Sequence, residues 1–482
     1  MAPQDRDPLN IVILGGSFAG LACAHRFLRG VEPQLQTVGT SSPAYKVTLV
    51  SPSSHLYWRF GAPRAIVSQK LIPHSTSFIP ILQSFEDYPP EKFQFVQGTA
   101  VNVDPSARVV IVSLARSARG SASTGSSNLK SQRWSAASRD SNLHSLPYHA
   151  LIIATGTSTH SPLLSLNGPH EQTEAALNAF HARLPAAESI IIAGGGPSGI
   201  ETAGQLASYF NTTTKWPSAP AIDYSQPQPN MLRRAVNPDT YRHSSQKPDT
   251  DRRPKSITII SGSSRLLPKL EPTIGAKAEQ QLRGLGVHII HNTRLISAQE
   301  SPSGNTRCVL SDNTTIAADL YVAATGVQPN TSYLPKQFLD SQGYVVADPG
   351  YLRVYPAGDR VYAIGDCASY SKKYVLDIYD ALPALMTNLR NDLVAFELQL
   401  HDPYGEREAE IASLKHSDIK YKQKTKDTQI IPITRCGGVG VIQGKRIPGI
   451  MVHILKGRDY KVRSALAACE GYNPYAPNRA FD

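Results

Sequence analysis

Residues 11–20 read IVILGGSFAG and residues 189–201 read SIIIAGGGPSGIE, so one phrase, a short apolar run ending in a glycine turn, occurs twice in the chain. Each turn opens a helical stretch, LACAHRFL after the first and IETAG after the second. A strand, a glycine turn and a helix in that order form the phosphate-binding end of a dinucleotide-binding βαβ unit. In the first copy (Gly15, Gly16, Ser17, Phe18, Ala19, Gly20) Gly15 permits the tight turn. Compact Ser17 lets backbone N–H groups approach a diphosphate, and Gly20 lets the helix pack on the strand. The second copy carries the full GxGxxG at Gly194, Gly196 and Gly199, with Glu201 just inside the helix.

Working outward, further β-branched runs at 47–50, 151–153, 257–260, 320–323 and 361–364 alternate with helical patterns. Buried parallel strands with helical crossovers produce that rhythm, and the expected class is α/β with more than one doubly wound unit. Ala154-Thr155-Gly156-Thr157 and Ala324-Thr325-Gly326-Val327 each close a strand, and Gly365-Asp366 closes VYAI. A carboxylate at the C-terminal end of a strand lies where ligands of α/β sheets sit, which makes Asp366 a candidate cofactor anchor; a plain turn is the rival reading.

A chain of 482 residues has room for about three domains. The expected division is a discontinuous first unit at 1–160 and 325–394, a second at 161–324, and a small C-terminal α+β domain at 395–482. There the GGVG turn and the strand-like IMVHIL at 450–455 suggest a sheet, and VRSALAAC a short helix. Two stretches, 115–146 rich in Ser and Arg and 211–254 rich in Pro, Asn, Thr and Arg, lack the apolar content to offset ordering entropy and read as surface insertions. Five cysteines (Cys23, Cys308, Cys367, Cys436, Cys469) show no CxxC or CxxxxC pair, against a disulfide framework, a redox dithiol or a zinc site. No metal is expected. The N-terminus lacks a signal peptide, a presequence and a Met-Gly start, and no run could span a bilayer, so a cytoplasmic protein is expected. The net charge of +11 fits a solvated basic surface, phosphate-bearing cofactors, an anionic membrane face or nucleic acid, the last being the least expected.

The chain resembles the two-dinucleotide-binding flavoproteins, and within them the apoptosis-inducing-factor-like, ferroptosis-suppressor-like NAD(P)H:quinone oxidoreductases, particularly fungal members. The resemblance rests on GGSFAG, FGAPRAIV at 60–67, FQFVQGTAV at 93–101, both ATG segments and GGGPSGIETAG. It continues through VYAIGDCA, GGVGVIQGKRIPG and KGRDY. It implies a glutathione-reductase-like layout with FAD on Gly15–Gly20, Thr155 and Gly156. Arg64 would lie near that cofactor, the Ala100 backbone near the adenine, and Asp366 at the ribityl-pyrophosphate region. NAD(P)H would lie on Gly194, Gly196 and Gly199, with Glu201 near the nicotinamide as the catalytic-site residue and the helix 380–389 under the flavin ring. For Arg64 the rival is a surface or salt-bridging arginine, and for Glu201 a carboxylate favoured by the helix dipole alone.

Two departures stand out. The strand-end position where the family usually carries Asp or Glu for the ribose is Ser51 in the first unit, with Ser53 and Ser54 nearby, and Ser261 in the second, followed by Arg265. A serine with an arginine nearby accommodates a 2′-phosphate, so NADPH is an expected donor. The missing cysteine pair excludes a disulfide relay and points to a small quinone-like acceptor. Alternatives are a flavin oxidoreductase of specialised metabolism acting on an aromatic or polyketide intermediate, and a signalling flavoprotein with a nucleic-acid-binding surface. The resemblance also leaves open a peripheral contact with a membrane, such as the mitochondrial outer surface or a lipid droplet, and either a monomer or a homodimer.

Overall fold

The computed structural model describes residues 7–35, 44–115, 142–213, 216, 252–302, 304–402 and 404–476. The sequence runs into two parallel sheets, each organised about the strand that precedes a glycine turn. In the first, Leu9–Leu14 lies between Tyr45–Ser51 and Ala150–Ile153, with Val361–Ala363 beyond the latter. In the second, Ser189–Ala193 lies between Ser256–Ile260 and Leu320–Ala323, with Val287–Ile290 beyond Ser256–Ile260. Strand order reverses about Leu9–Leu14 and about Ser189–Ala193, which opens a crevice at their C-terminal ends, and both glycine turns sit there. Ile11, Val12, Ile13, Ile190 and Ile192 are buried, as strands covered on both faces must be.

The first sheet continues through Phe93–Asp104 into an antiparallel extension, Val109–Leu114 and Leu143–Pro147. The expected insertion 115–146 is thus narrower than its composition suggests: Val112 pairs with His144, so residues 143–146 are strand. Residues 116–141 of that stretch, and most of 211–254, lie outside the described residues. A three-stranded antiparallel sheet, Leu295–Glu300, Thr306–Leu310 and Thr315–Ala318, flanks the second parallel sheet.

The C-terminal region forms a small sheet of Gln429–Thr434, Gly437–Ile442 and Lys445–Arg446. GGVG is therefore strand rather than turn. IMVHIL at 450–455, expected as a strand, is helical: Gly449–Val452 is α and His453–Gly457 is π. Pro448 explains the difference, because it has no N–H for a ladder and its fixed φ suits a helix start. VRSALAAC forms a 3₁₀ turn and the helix Ala465–Cys469, as expected.

The helix Pro197–Phe210 lies directly on the C-terminal sheet: a Cβ on Gly204 would come within 2.3 Å of the Ile433 carbonyl oxygen. The chain end returns to the first unit, where Trp58 Nε1 donates to the Tyr460 carbonyl at 2.9 Å. The long helix Val375–Leu400, which contains 380–389, packs on the first unit's Phe18–Arg26. Among the described residues no helix is long and apolar enough to cross a membrane.

Candidate dinucleotide sites and the joint between them

Both turns are closed by the same backbone pattern. Gly15 N donates to Val50 O at 2.8 Å and Gly194 N to Ile260 O at 2.8 Å. Gly15 (φ +119°) and Gly194 (φ +126°) occupy conformations that favour glycine. A Cβ on Gly20 would sit 1.8 Å from Gly15 O, and one on Gly199 would sit 2.0 Å from Gly194 O, so helix and turn touch backbone to backbone. Ser17 and Gly196 hold the N-cap positions in extended conformation, and Ser17 makes no side-chain capping bond. A Cβ on Gly196, Gly156 or Gly326 would meet no atom within 4 Å. Each turn thus presents helix N-terminal N–H groups beside an unfilled approach, at Gly156 for the first and at Gly196 and Gly326 for the second, and the residues present fit a nucleotide diphosphate.

On the first side the structure brings Asp366 to the glycine turn. Gly365 (φ +83°) lies so close to the turn that a Cβ there would come 3.1 Å from Ala19 Cβ. The Asp366 carboxylate accepts from Thr157 Oγ1 at 3.3 Å and pairs with Arg59 at 3.6 Å. Sequence reading missed Arg59; the signal available was only its place in YWRF before the FGAPRAIV segment. Thr155 Oγ1 donates to Asn330 O at 2.7 Å, tying the first ATG segment to the loop after the second. Phe18 packs against Trp58 and Phe60, with ring centroids 5.7 and 5.0 Å away. Ala100 lies three residues past Gln97, the ladder partner of Ser51, in an apolar cluster with Val12, Leu14 and Val50. Ser51 is buried and its hydroxyl donates to Ser53 O at 2.8 Å.

Arg64 and Glu201 meet at a buried joint of three regions. Arg64 Nε donates to Gln205 Oε1 at 2.9 Å, Nη1 to Arg458 O at 3.0 Å and Nη2 to Gly457 O at 2.6 Å. All of the guanidinium nitrogens are thereby bound to protein, and burial lowers the group's pKa to about 10. Gln205 Nε2 in turn donates to Ile433 O at 3.1 Å. Glu201 is 4% exposed, and both its oxygens accept from Lys456 Nζ, at 2.7 and 3.0 Å. Burial raises the Glu201 pKa, and the Lys456 ammonium opposes that rise. Lys456, from the KGRDY segment, had no role assigned from sequence, because its partner lies 255 positions away.

On the second side Ser261 is buried beneath the turn, and a Cβ on Gly195 would meet its Oγ at 2.6 Å. Arg265 does not reach out from that strand end: Nη1 donates to Leu270 O at 2.8 Å and Nη2 to Pro268 O at 2.7 Å, closing its own loop. The five cysteines are free and four of them are buried. Among the described residues no cluster could hold a metal ion. A hollow of about 420 Å³ lined by Gln399, Asp402, Ile411 and Lys415 shares no residue with either turn.

The family model described as pyridine nucleotide-disulphide oxidoreductase matches residues 9–387. The chain is 34% identical to Oxidoreductase phnG of Penicillium herquei, over 94% of this chain and 93% of that one. Similarity to the human Ferroptosis suppressor protein 1 is 22% identity over 95% of both chains. Among solved structures, NDH2 from Plasmodium falciparum in complex with NADH superposes with a TM-score of 0.57 at 14% identity, covering 96% of this chain and 94% of that one. That likeness shows the two-sheet fold.

Proposed function

The chain belongs to the pyridine nucleotide-disulphide oxidoreductase family, an enzyme class that uses FAD and NAD(P)H, and from that premise we propose that it transfers electrons from NAD(P)H to a small quinone-like acceptor. The observation that carries the choice of acceptor is the state of the cysteines: free, scattered and, but for Cys436, buried. A member with no dithiol has no protein relay to a disulfide, so the acceptor must meet the cofactor directly.

When bound, the flavin supplies hydride acceptance from the nicotinamide and electron donation to the second substrate. The chain supplies position and charge. Gly15–Gly20 would hold the FAD diphosphate, with the Asp366 carboxylate, fixed by Arg59 and Thr157, beside it. Gly194–Gly199 would hold the NAD(P)H diphosphate. Glu201 keeps the Lys456 ammonium at the joint, and Arg64 with Gln205 clamps the C-terminal segment 457–458 and strand Gln429–Thr434 onto both units. A joint closed in this way buries the Glu201–Lys456 pair and the Arg64 guanidinium where the two units meet the C-terminal segment.

The test is an absorbance spectrum of the purified chain, followed by anaerobic addition of NADPH and then of ubiquinone or menadione. Flavin absorbance that bleaches with NADPH and returns with quinone is expected. A folded but colourless chain that flavin cannot reconstitute would overturn the cofactor reading. Return of colour with a disulfide substrate and with no quinone would overturn the acceptor.

A further inference from the structure

We propose that Arg294 forms a 2′-phosphate subsite beside the second glycine turn, so that the chain binds 2′-phosphorylated adenine nucleotides in preference to the unphosphorylated ones. The proposal rests on the reading of Gly194–Gly199 as the NAD(P)H turn, and adds which group selects the nucleotide.

The strand end that faces the adenosine ribose in such a unit carries no carboxylate. Its side chain is that of Ser261, whose hydroxyl is engaged locally, 3.3 Å from both Ser263 O and Ser263 N. Nothing negative at that position repels a phosphate. The loop that follows Val287–Ile290 is zipped onto this strand end by backbone bonds. Ser261 N donates to Ile290 O at 2.8 Å, Thr293 N to Ser261 O at 3.0 Å and Asn292 N to Ser263 O at 3.2 Å. Asn292 takes a left-handed conformation (φ +53°) to make the turn.

This zipper lays the Arg294 side chain across Gly262, the residue directly after Ser261. A Cβ on Gly262 would sit 2.9 Å from Arg294 Cγ and 3.4 Å from its Nε. Gly262 therefore leaves room for the arginine stem to run along the ribose-facing loop. Among the described residues the exposed guanidinium has no hydrogen-bond or ion-pair partner, whereas that of Arg265, four residues past Ser261, is occupied by the carbonyls of Pro268 and Leu270. The carboxylate of Glu279 is already held by Arg283 at 2.8 Å and His291 at 2.9 Å. A planar guanidinium with five donors and no partner among the described residues suits a phosphate dianion.

Calorimetric titration of the flavin-loaded chain with 2′,5′-ADP and with ADP tests this by binding alone. The 2′-phosphate is expected to tighten binding roughly tenfold or more, the scale of one charged hydrogen-bonded contact. Arg294→Gln should erase that gain and leave ADP binding unchanged, Arg294→Lys should keep part of it, and Arg265→Gln should keep most of it. Raising the salt should shrink the gain in the parent chain. Equal binding of the two nucleotides by the parent, or a preference that survives Arg294→Gln, overturns the subsite while the nucleotide turn stands. Binding of neither nucleotide by the yellow, folded protein overturns the turn itself, and the subsite with it.

Discussion

The two glycine turns share one construction and differ in what covers them. Gly15, Gly20, Ser51 and Ala154 in the first unit match Gly194, Gly199, Ser261 and Ala324 in the second, down to the near contact of each first glycine with the carbonyl of that alanine. Around the first turn, however, Phe18 and Ala19 are buried, Trp58 and Phe60 pack over Phe18, and Gly365 presses on Ala19. At the second turn the equivalent Pro197 and Ser198 are exposed, as are Thr325 and Gly326. A roofed turn suits a cofactor that stays, because release requires parts of the fold to move. An open one suits a nucleotide that enters and leaves each cycle.

The sharpest way to break this contrast is to damage the turns one at a time. Gly20→Ala puts a methyl 1.8 Å from a backbone oxygen inside the roofed turn, and Gly199→Ala does the same at 2.0 Å in the open one. Overpacking of this kind costs about 1–3 kcal/mol and more where backbone must move. Gly20→Ala is expected to give a colourless, poorly folded chain. Gly199→Ala should remain yellow while binding NAD(P)H at least about tenfold more weakly. Spectra and nucleotide titrations of both variants check this; equal loss of flavin from the two would end the distinction between resident and exchanging sites.

The joint links the halves, and its charges are the next largest effect. Glu201 and Lys456 have side chains only 5% and 13% exposed, so removal of one leaves the other's charge buried without its counter-charge. Glu201→Gln or Lys456→Met should each cost about 3–5 kcal/mol in urea unfolding, and the double variant much less than the sum. The exposed pair Arg183–Glu300, 43% and 60% exposed, should give no more than ~1 kcal/mol. Additive losses at the joint would show that the two side chains do not act as a pair.

How far the sequence carries differs between these regions. Both parallel sheets and both turns were legible, because strand, glycine and helix signals are local and physically demanding. Asp366 was legible as a strand-end carboxylate, but its place near the glycine turn depends on a crossover that brings residue 365 to residue 19. The joint was only half visible: Arg64 and Glu201 could be singled out, while Lys456 and Gln205 are ordinary side chains until the C-terminal sheet lands on Pro197–Phe210. Arg265 illustrates the opposite failure. Its spacing from Ser261 suggested an outward-facing phosphate ligand, yet the nearby carbonyls of Pro268 and Leu270 capture it, and the side chain that reaches Gly262 comes from 32 residues downstream. IMVHIL failed because apolar content was read without Pro448.

Acid should separate the two units more gently. His25 in the first unit is buried, its ring stacked on Phe85 and bonded to Tyr88 and the Cys469 carbonyl, and desolvation lowers its pKa to about 3. His149 is likewise lowered to about 3, mainly by burial, and His55 to about 4. A histidine held neutral in the fold takes up its proton only on unfolding. The stability these groups contribute is therefore complete above the ordinary value of ~6.5 and is lost progressively as pH falls toward 4 and below. Flavin release should rise across that window, and His25→Gln should flatten part of the rise. A pH-independent release rate between 7 and 4 would contradict this account.

The smallest and most discriminating test uses the paired serines. Both strand ends carry a hydroxyl where a carboxylate would grip a ribose, and both hydroxyls lie within hydrogen-bond distance of the backbone two residues on. A charged acceptor contributes ~1.5–3 kcal/mol against ~0.5–1.5 for a neutral one, so Ser51→Asp should tighten FAD by no more than about tenfold. Ser261→Asp has a different consequence, because it places a negative charge where Arg294 is proposed to draw in a phosphate. It should improve binding of ADP slightly and weaken that of 2′,5′-ADP by a similar factor, inverting the preference. If both substitutions instead tightened binding equally and without regard to the 2′-phosphate, the two ends would be chemically interchangeable. The contrast between them would then lie only in what roofs each turn.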